Sequence, residues 1–290
     1  MSDFIIVTDS SADLTLQMVE EGKIEVLPLS FVMEGKCYCN YPDNRDIEPK
    51  MFYDCLRKGK MATTSAVNVD QYAQMIEPML QQGKDVLVMA FSSALSATYN
   101  SSRLAVEELA EKYPERKVYT VDTKCASLGQ GLLVWLAARQ REQGRSIEEV
   151  RDWVEENKQR VCHQFTVDDL GFLKRGGRIS ATTAVVGSML HIKPVLHVDD
   201  EGRLVTVGKV RGRHAALKEL VDKMEQGAVH PEEQTVFISH GDCLEDAQAV
   251  ADMVRERMGV KEICIGYVGP VIGAHAGPGV VALFYLGSQR

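Results

Sequence analysis

No two cysteines of this 290-residue chain form a C-x-x-C pair. The seven present (Cys37, Cys39, Cys55, Cys125, Cys162, Cys243, Cys264) are odd in number and scattered. Such spacing offers neither a disulfide framework nor a zinc site and fits free thiols in a reducing cytosol. Missing too are G-x-x-x-x-G-K-[ST] and G-x-G-x-x-G, so nucleotide binding by this chain has no motif behind it. No G-x-S-x-G elbow is present to expose a nucleophilic serine. Positive charge is in deficit, with 33 Lys and Arg against 41 Asp and Glu and a formal net charge of -8. That balance argues against nucleic acid or an anionic membrane as the main partner. The segment Met1 to Val7 lacks a basic n-region and its apolar run is too short for a signal peptide, so a cytoplasmic location is expected. No low-complexity linker and no repeat of fixed period interrupts the chain. The uncharged stretch Ile263 to Gln289 carries Pro270, His275, Pro278 and several glycines, and reads as strand, loop, strand rather than as a membrane span.

What is there is an ordinary globular composition, 45% hydrophobic and 26% charged, long enough for two cores. Phe4 to Thr8, Asp85 to Phe91 and Lys117 to Val121 are apolar runs. Each is followed by a hydroxyl-rich loop and then a helical pattern, the second over Thr98 to Lys112 and the third over Leu128 to Gln143 with Gly144 at the C′ position. Strands alternating with helices imply an α/β fold with a parallel sheet covered on both faces, and ligands collect at the carboxyl ends of such strands. Ser146 and Glu149 form a capping box that opens a further helix to about Arg160. The second half reads as α/β with an added hairpin, Pro194 to Val198 and Arg203 to Val207 about a Gly202 turn. Helices follow at His214 to Met224 and Leu244 to Met258, the latter between strands Thr235 to Ser239 and Glu262 to Gly266. Two domains are expected, 1–160 and 161–290.

Several clusters carry chemistry in one reading and only structure in another. Ser92 to Tyr99 follows a strand and opens a helix, so its hydroxyls and amides suit either an anion or helix capping. Thr63, Thr64 and Ser65 offer a second hydroxyl group, or a cap for the helix running to Gln82. His275, set among glycines and prolines, suits a ligand donor, a general base or a residue pinning its own loop. Lys174, Arg175 and Arg178 surround Gly176-Gly177 at the end of a short helix, which fits phosphate recognition or a C-cap with cations. From Arg203 to Lys218 the chain holds Arg203, Lys209, Arg211, Arg213 and Lys218 and no acid, either a docking face or a solvated edge.

Taken in order, these blocks resemble the DegV family of bacterial fatty-acid-binding proteins along nearly the whole chain. The matching stretches are Asp9 to Leu14, Thr64-Ser65, Ser92 to Tyr99, Leu173 to Ser180 and Gly273 to Gly279. The resemblance implies a non-catalytic carrier with no cofactor, holding one long-chain fatty acid in an apolar tunnel between two α/β domains. It places the carboxylate on Thr64, Ser93 and His275, with Thr63 and Ser65 beside them. It also implies a separate kinase subunit that uses ATP to phosphorylate the bound carboxylate to an acyl phosphate for phospholipid synthesis. Arg175 would meet the carboxylate or phosphate, and Arg203, Arg211 and Arg213 would face the kinase. This chain departs from the family pattern at Ala66-Val67, where Gln-Pro is common, at Ala97 for a glycine and at Ala276 for a threonine. Two rivals remain open at this stage, a lipid hydrolase or acyltransferase with Ser93 as nucleophile and His275 as base, and a regulatory lipid sensor.

Overall fold

The structure is a computed structural model that describes residues 4–179 and 192–290; Ser180, the last residue of the Leu173 block, lies outside them. The chain opens with β1 (Phe4–Asp9), α1 (Leu16–Glu21) and β2 (Ile24–Leu27), then β3 (Ser30–Met33) and β4 (Lys36–Cys39). After α2 (Pro49–Arg57) come β5 (Ala62–Ser65), α3 (Val69–Gln81), β6 (Asp85–Ala90), α4 (Thr98–Lys112), β7 (Val118–Asp122), α5 (Ser127–Glu142) and α6 (Ile147–Asn157). The second half follows as β8 (Val161–Thr166), α7 (Leu170–Arg175), β9 (Ile192–Val198), β10 (Leu204–Arg211), α8 (Arg213–Gly227) and β11 (Thr235–His240). It closes with α9 (Leu244–Met258), β12 (Glu262–Tyr267), α10 (Pro270–Ala276) and β13 (Val281–Leu286).

The expected parallel sheet is present in the order β2-β1-β6-β7. Its central strands are continuous apolar runs such as Val86-Leu87-Val88-Met89, because helices cover both faces. The second half forms a six-stranded sheet in the order β10-β9-β8-β13-β11-β12, antiparallel except between β11 and β12. The hairpin turns at Gly202, whose φ of 83° favours glycine, and β10 runs on to Arg211 past an irregularity at Thr206 and Gly208.

Helix α5 explains how the two sheets meet. It contacts β1 on one side and β8, β11 and β13 on the other, so most of it is buried and it lacks a polar face. Its glycines are required by that position, since a Cβ on Gly129 would lie 2.2 Å from His163 Nε2. The two halves of the chain are further joined by Tyr53 of α2, which donates to the Val268 carbonyl, just past β12, at 2.7 Å.

Two expectations are corrected. Ala62 to Ser65 is a strand, β5, the third member of an antiparallel sheet β4-β3-β5 that reads poorly in sequence because each strand has four residues. The cap of α3 comes later in the same stretch, at Asn68, which forms a capping box with Gln71. The loop expected around His275 is helix α10. Gly269 caps it and Pro270 starts it, and it stops at Gly277, where φ is 78°. Glycine serves close packing inside it, for a Cβ on Gly273 would come within 2.5 Å of the Tyr53 hydroxyl.

Candidate functional site

Between the carboxyl ends of the parallel strands and the second sheet lies a cavity of about 290 Å³, just below the roughly 300–1,000 Å³ usual for small-molecule sites. Both halves line it. Leu29, Phe91 and Leu95 come from the first, and Phe165, Val198, Leu204, Val271 and Phe284 from the second. Polar groups are few, and they are grouped.

One group is Thr64 and His275. Thr64 points inward from β5, and its Oγ1 lies 2.8 Å from Nε2 of His275 on α10. The other ring nitrogen, Nδ1, is buried without a partner and sits against Gly176, where a Cβ would come within 2.2 Å of it. A hydrogen on Nδ1 would be an orphaned buried donor, which costs about 1–3 kcal/mol, so we assign it to Nε2. His275 then donates to Thr64, and the Thr64 hydroxyl hydrogen is free for a ligand. Burial, helped by the nearby Arg178 guanidinium, pulls the His275 pKa down to about 4, so the imidazole is neutral at neutral pH. Arg178 lines the same cavity, its Nε donating to Leu95 O at 3.2 Å and its Nη1 to Gly176 O.

A second polar group crosses the cavity wall. Ser127 donates to Asp13 Oδ2 at 2.5 Å and stands 3.1 Å from Ser239 Oγ, while the Gly269 amide donates to Asp13 Oδ1 at 3.0 Å. Burial raises the Asp13 pKa to about 7 against the pull of those hydrogen bonds, and Asp9 adds a smaller rise. Farther along the wall His163 has both nitrogens engaged, Nδ1 with Val161 O at 2.9 Å and Nε2 with the Ala126 amide at 3.3 Å. Burial holds it neutral.

The structure therefore brings together some of the residues singled out in sequence and separates others. Thr64 and His275 meet, and Ser65 lines the cavity beside them, whereas Thr63 alternates to the exposed side of β5. Ser93 is exposed and does not line the cavity; Lys124 Nζ donates to its hydroxyl at 3.0 Å and its own amide donates to Asp122. Ser96 from the same loop lines the cavity instead. Arg175 is exposed, its guanidinium 4.6 Å over the Phe172 ring, and it is Arg178 that faces inward. Ala66, Ala97 and Ala276, the positions of departure, all line the cavity. Arg203 is paired with Asp199 and Glu201, and Arg213 with Asp246 at 2.8 Å; Arg211 is exposed on β10. Ser93 and His275 make no nucleophile–base pair, since each hydroxyl or imidazole contact goes elsewhere.

No helix among the described residues is long and apolar enough to cross a membrane. A family model described as "Uncharacterised protein, DegV family" matches residues 3–288. A DegV domain-containing protein of Clostridium perfringens is 49% identical over 290 residues, covering 100% of this chain and 99% of the relative. Among solved structures, a DegV family protein from Thermus thermophilus, described for its fatty acid binding, is 30% identical. It aligns with a TM-score of 0.88 over 98% of this chain and 99% of its own. DegV of Bacillus subtilis, described as a fatty acid binding protein, aligns with a TM-score of 0.85 at 28% identity, covering 99% of this chain and 100% of its own. The chain belongs to the DegV family.

Proposed function

We propose that the protein binds one long-chain fatty acid in the cavity between its halves, residues 1–160 and 161–290, and presents the carboxylate to a separate ATP-dependent kinase. The observation that carries this reading is the Thr64–His275 pair set in an otherwise apolar wall. Each buried methylene contributes roughly 0.8 kcal/mol, so a long acyl chain is held by burial and the polar pair can serve orientation. A carboxylate taken out of water needs donors: the Thr64 hydroxyl supplies one, held in place by the N–H that His275 donates to it, and Arg178 adds positive charge. In this reading Ser96 takes the place that the family resemblance gave to Ser93. The fatty acid binding of the Thermus thermophilus and Bacillus subtilis relatives supports the assignment.

The kinase half of the proposal has the γ-phosphoryl group of ATP pass to a carboxylate oxygen, giving an acyl phosphate for phospholipid synthesis. Its docking face would be β10, an edge strand where Lys209 and Arg211 are exposed beside Val207. Neither Lys209 nor Arg211 forms an ion pair among the described residues, unlike Arg203 and Arg213. Incubated with ATP and a fatty acid kinase subunit, the loaded protein should yield an acyl phosphate that hydroxylamine traps as the hydroxamate. Arg211→Glu should raise the kinase's KM several-fold. Bound acid without hydroxamate would contradict the kinase half, and failure to bind any acid would contradict both.

A further inference from the structure

Two serines interrupt the apolar wall, and their hydrogens can be counted. Ser127 opens α5 and Ser239 lies on β11; they are 5% and 0% exposed, and both line the cavity. A hydroxyl has one hydrogen and two lone pairs, whereas an ionised carboxylate can only accept. Once Asp13 is ionised, above its pKa of about 7, the Ser127 hydrogen is committed to it at 2.5 Å, and the 3.1 Å contact between the two hydroxyls then takes the hydrogen of Ser239. The Gly269 amide draws on the other Asp13 oxygen, which holds the carboxylate in place. Both serine hydrogens are spent inside the wall, and the pair offers the cavity only lone pairs. His163 cannot answer them, because both of its nitrogens are engaged. Ser127 is also kept at φ 52°, a left-handed conformation that residues other than glycine seldom adopt.

A plain hydrocarbon chain leaves these lone pairs unused, whereas a hydroxyl buried along the chain needs an acceptor and finds one here. We infer that the cavity takes long-chain acids bearing a hydroxyl group along the chain, whose O–H donates to the Ser127–Ser239 pair. The inference rests on the fatty acid reading above and narrows its ligand class. A chain ketone, which can only accept, is disfavoured by the same hydrogen count.

The test is isothermal titration at pH 9, where Asp13 is ionised, with stearate, a positional series of hydroxystearates and the matching oxostearates. One hydroxyl position is expected to bind at least about tenfold tighter than the other positions and than its own oxo counterpart, since an unpaired buried hydroxyl is penalised by that order. Ser239→Ala should erase this preference, and Ser239→Cys, close in size with a weaker acceptor, serves if the alanine variant does not fold. Hydroxystearates weakened alike at every position, or a preference that survives both substitutions, would overturn the inference while stearate binding leaves the carrier reading intact. Failure of stearate and all its derivatives to bind would overturn both.

Discussion

Gly176→Ala is expected to cost the protein its hold on the carboxylate while sparing its fold. Gly176 has φ -70° and ψ -12°, which any residue adopts, so alanine brings no backbone strain. The added Cβ would lie 2.2 Å from His275 Nδ1. Gly176 cannot easily retreat, because its amide donates to Phe172 O at 3.0 Å and its carbonyl accepts from Arg178. The imidazole must therefore turn away and release Thr64, whose hydroxyl is then no longer oriented to donate to the carboxylate. Hydrogen bonds to charged groups are worth about 1.5–3 kcal/mol, so fatty acid affinity measured by titration should fall about tenfold to a hundredfold. His275→Ala and Thr64→Val should fall in the same range, and the Gly176→Ala, His275→Ala double variant should be no worse than His275→Ala alone. Wild-type affinity in Gly176→Ala would contradict the assignment of His275.

Asp13 makes the second large prediction, on stability. Its folded pKa of about 7 lies above the ordinary 3.8, so between these values the folded protein keeps a proton that the unfolded chain has released. The stability contributed by the protonated group is full below pH 4 and is lost as pH rises towards 7. Asp13→Asn removes that dependence and can still accept from Gly269 and donate to Ser127. Between pH 4.5 and 8 the variant should gain on the wild type by on the order of 3 kcal/mol, read from urea melts at each pH. Histidines and the paired surface carboxylates titrate alike in both proteins and cancel in the difference. A difference that does not change with pH would show that Asp13 is not held protonated in the fold.

Much of the architecture is legible before folding. Helices α4 and α9 match the pattern at both ends, because their apolar spacing stands between clear boundaries such as Gly259, which ends α9 at φ 67°. Gly144 at φ 89° closes α5 for the same reason. The β3–β4–β5 sheet is illegible because four-residue strands such as Ala62-Thr63-Thr64-Ser65 show too little alternation, and hydroxyl residues suit a cap equally well. Helix α10 is hidden by the glycines in and around it; Gly273, the one inside the helix, serves contact with Tyr53 and not freedom of the backbone.

The site is legible as a set of residues and not as an orientation. Thr64 and His275 are 211 positions apart, and only the meeting of β5 with α10 joins them. Lys174, Arg175 and Arg178 look equivalent in sequence. The turn at Gly177, with φ 71°, sends Arg178 inward and leaves Arg175 on Phe172. In the Ser92–Thr98 loop the same ambiguity places Ser96 in the wall and Ser93 outside it.

The most direct test of the central claim is mass spectrometry of an organic extract from the purified, denatured protein, run beside its native mass. The account predicts one long-chain fatty acid per chain and a native mass raised by that acid. A protein that carries no lipid and takes up none when fatty acid is added would contradict it.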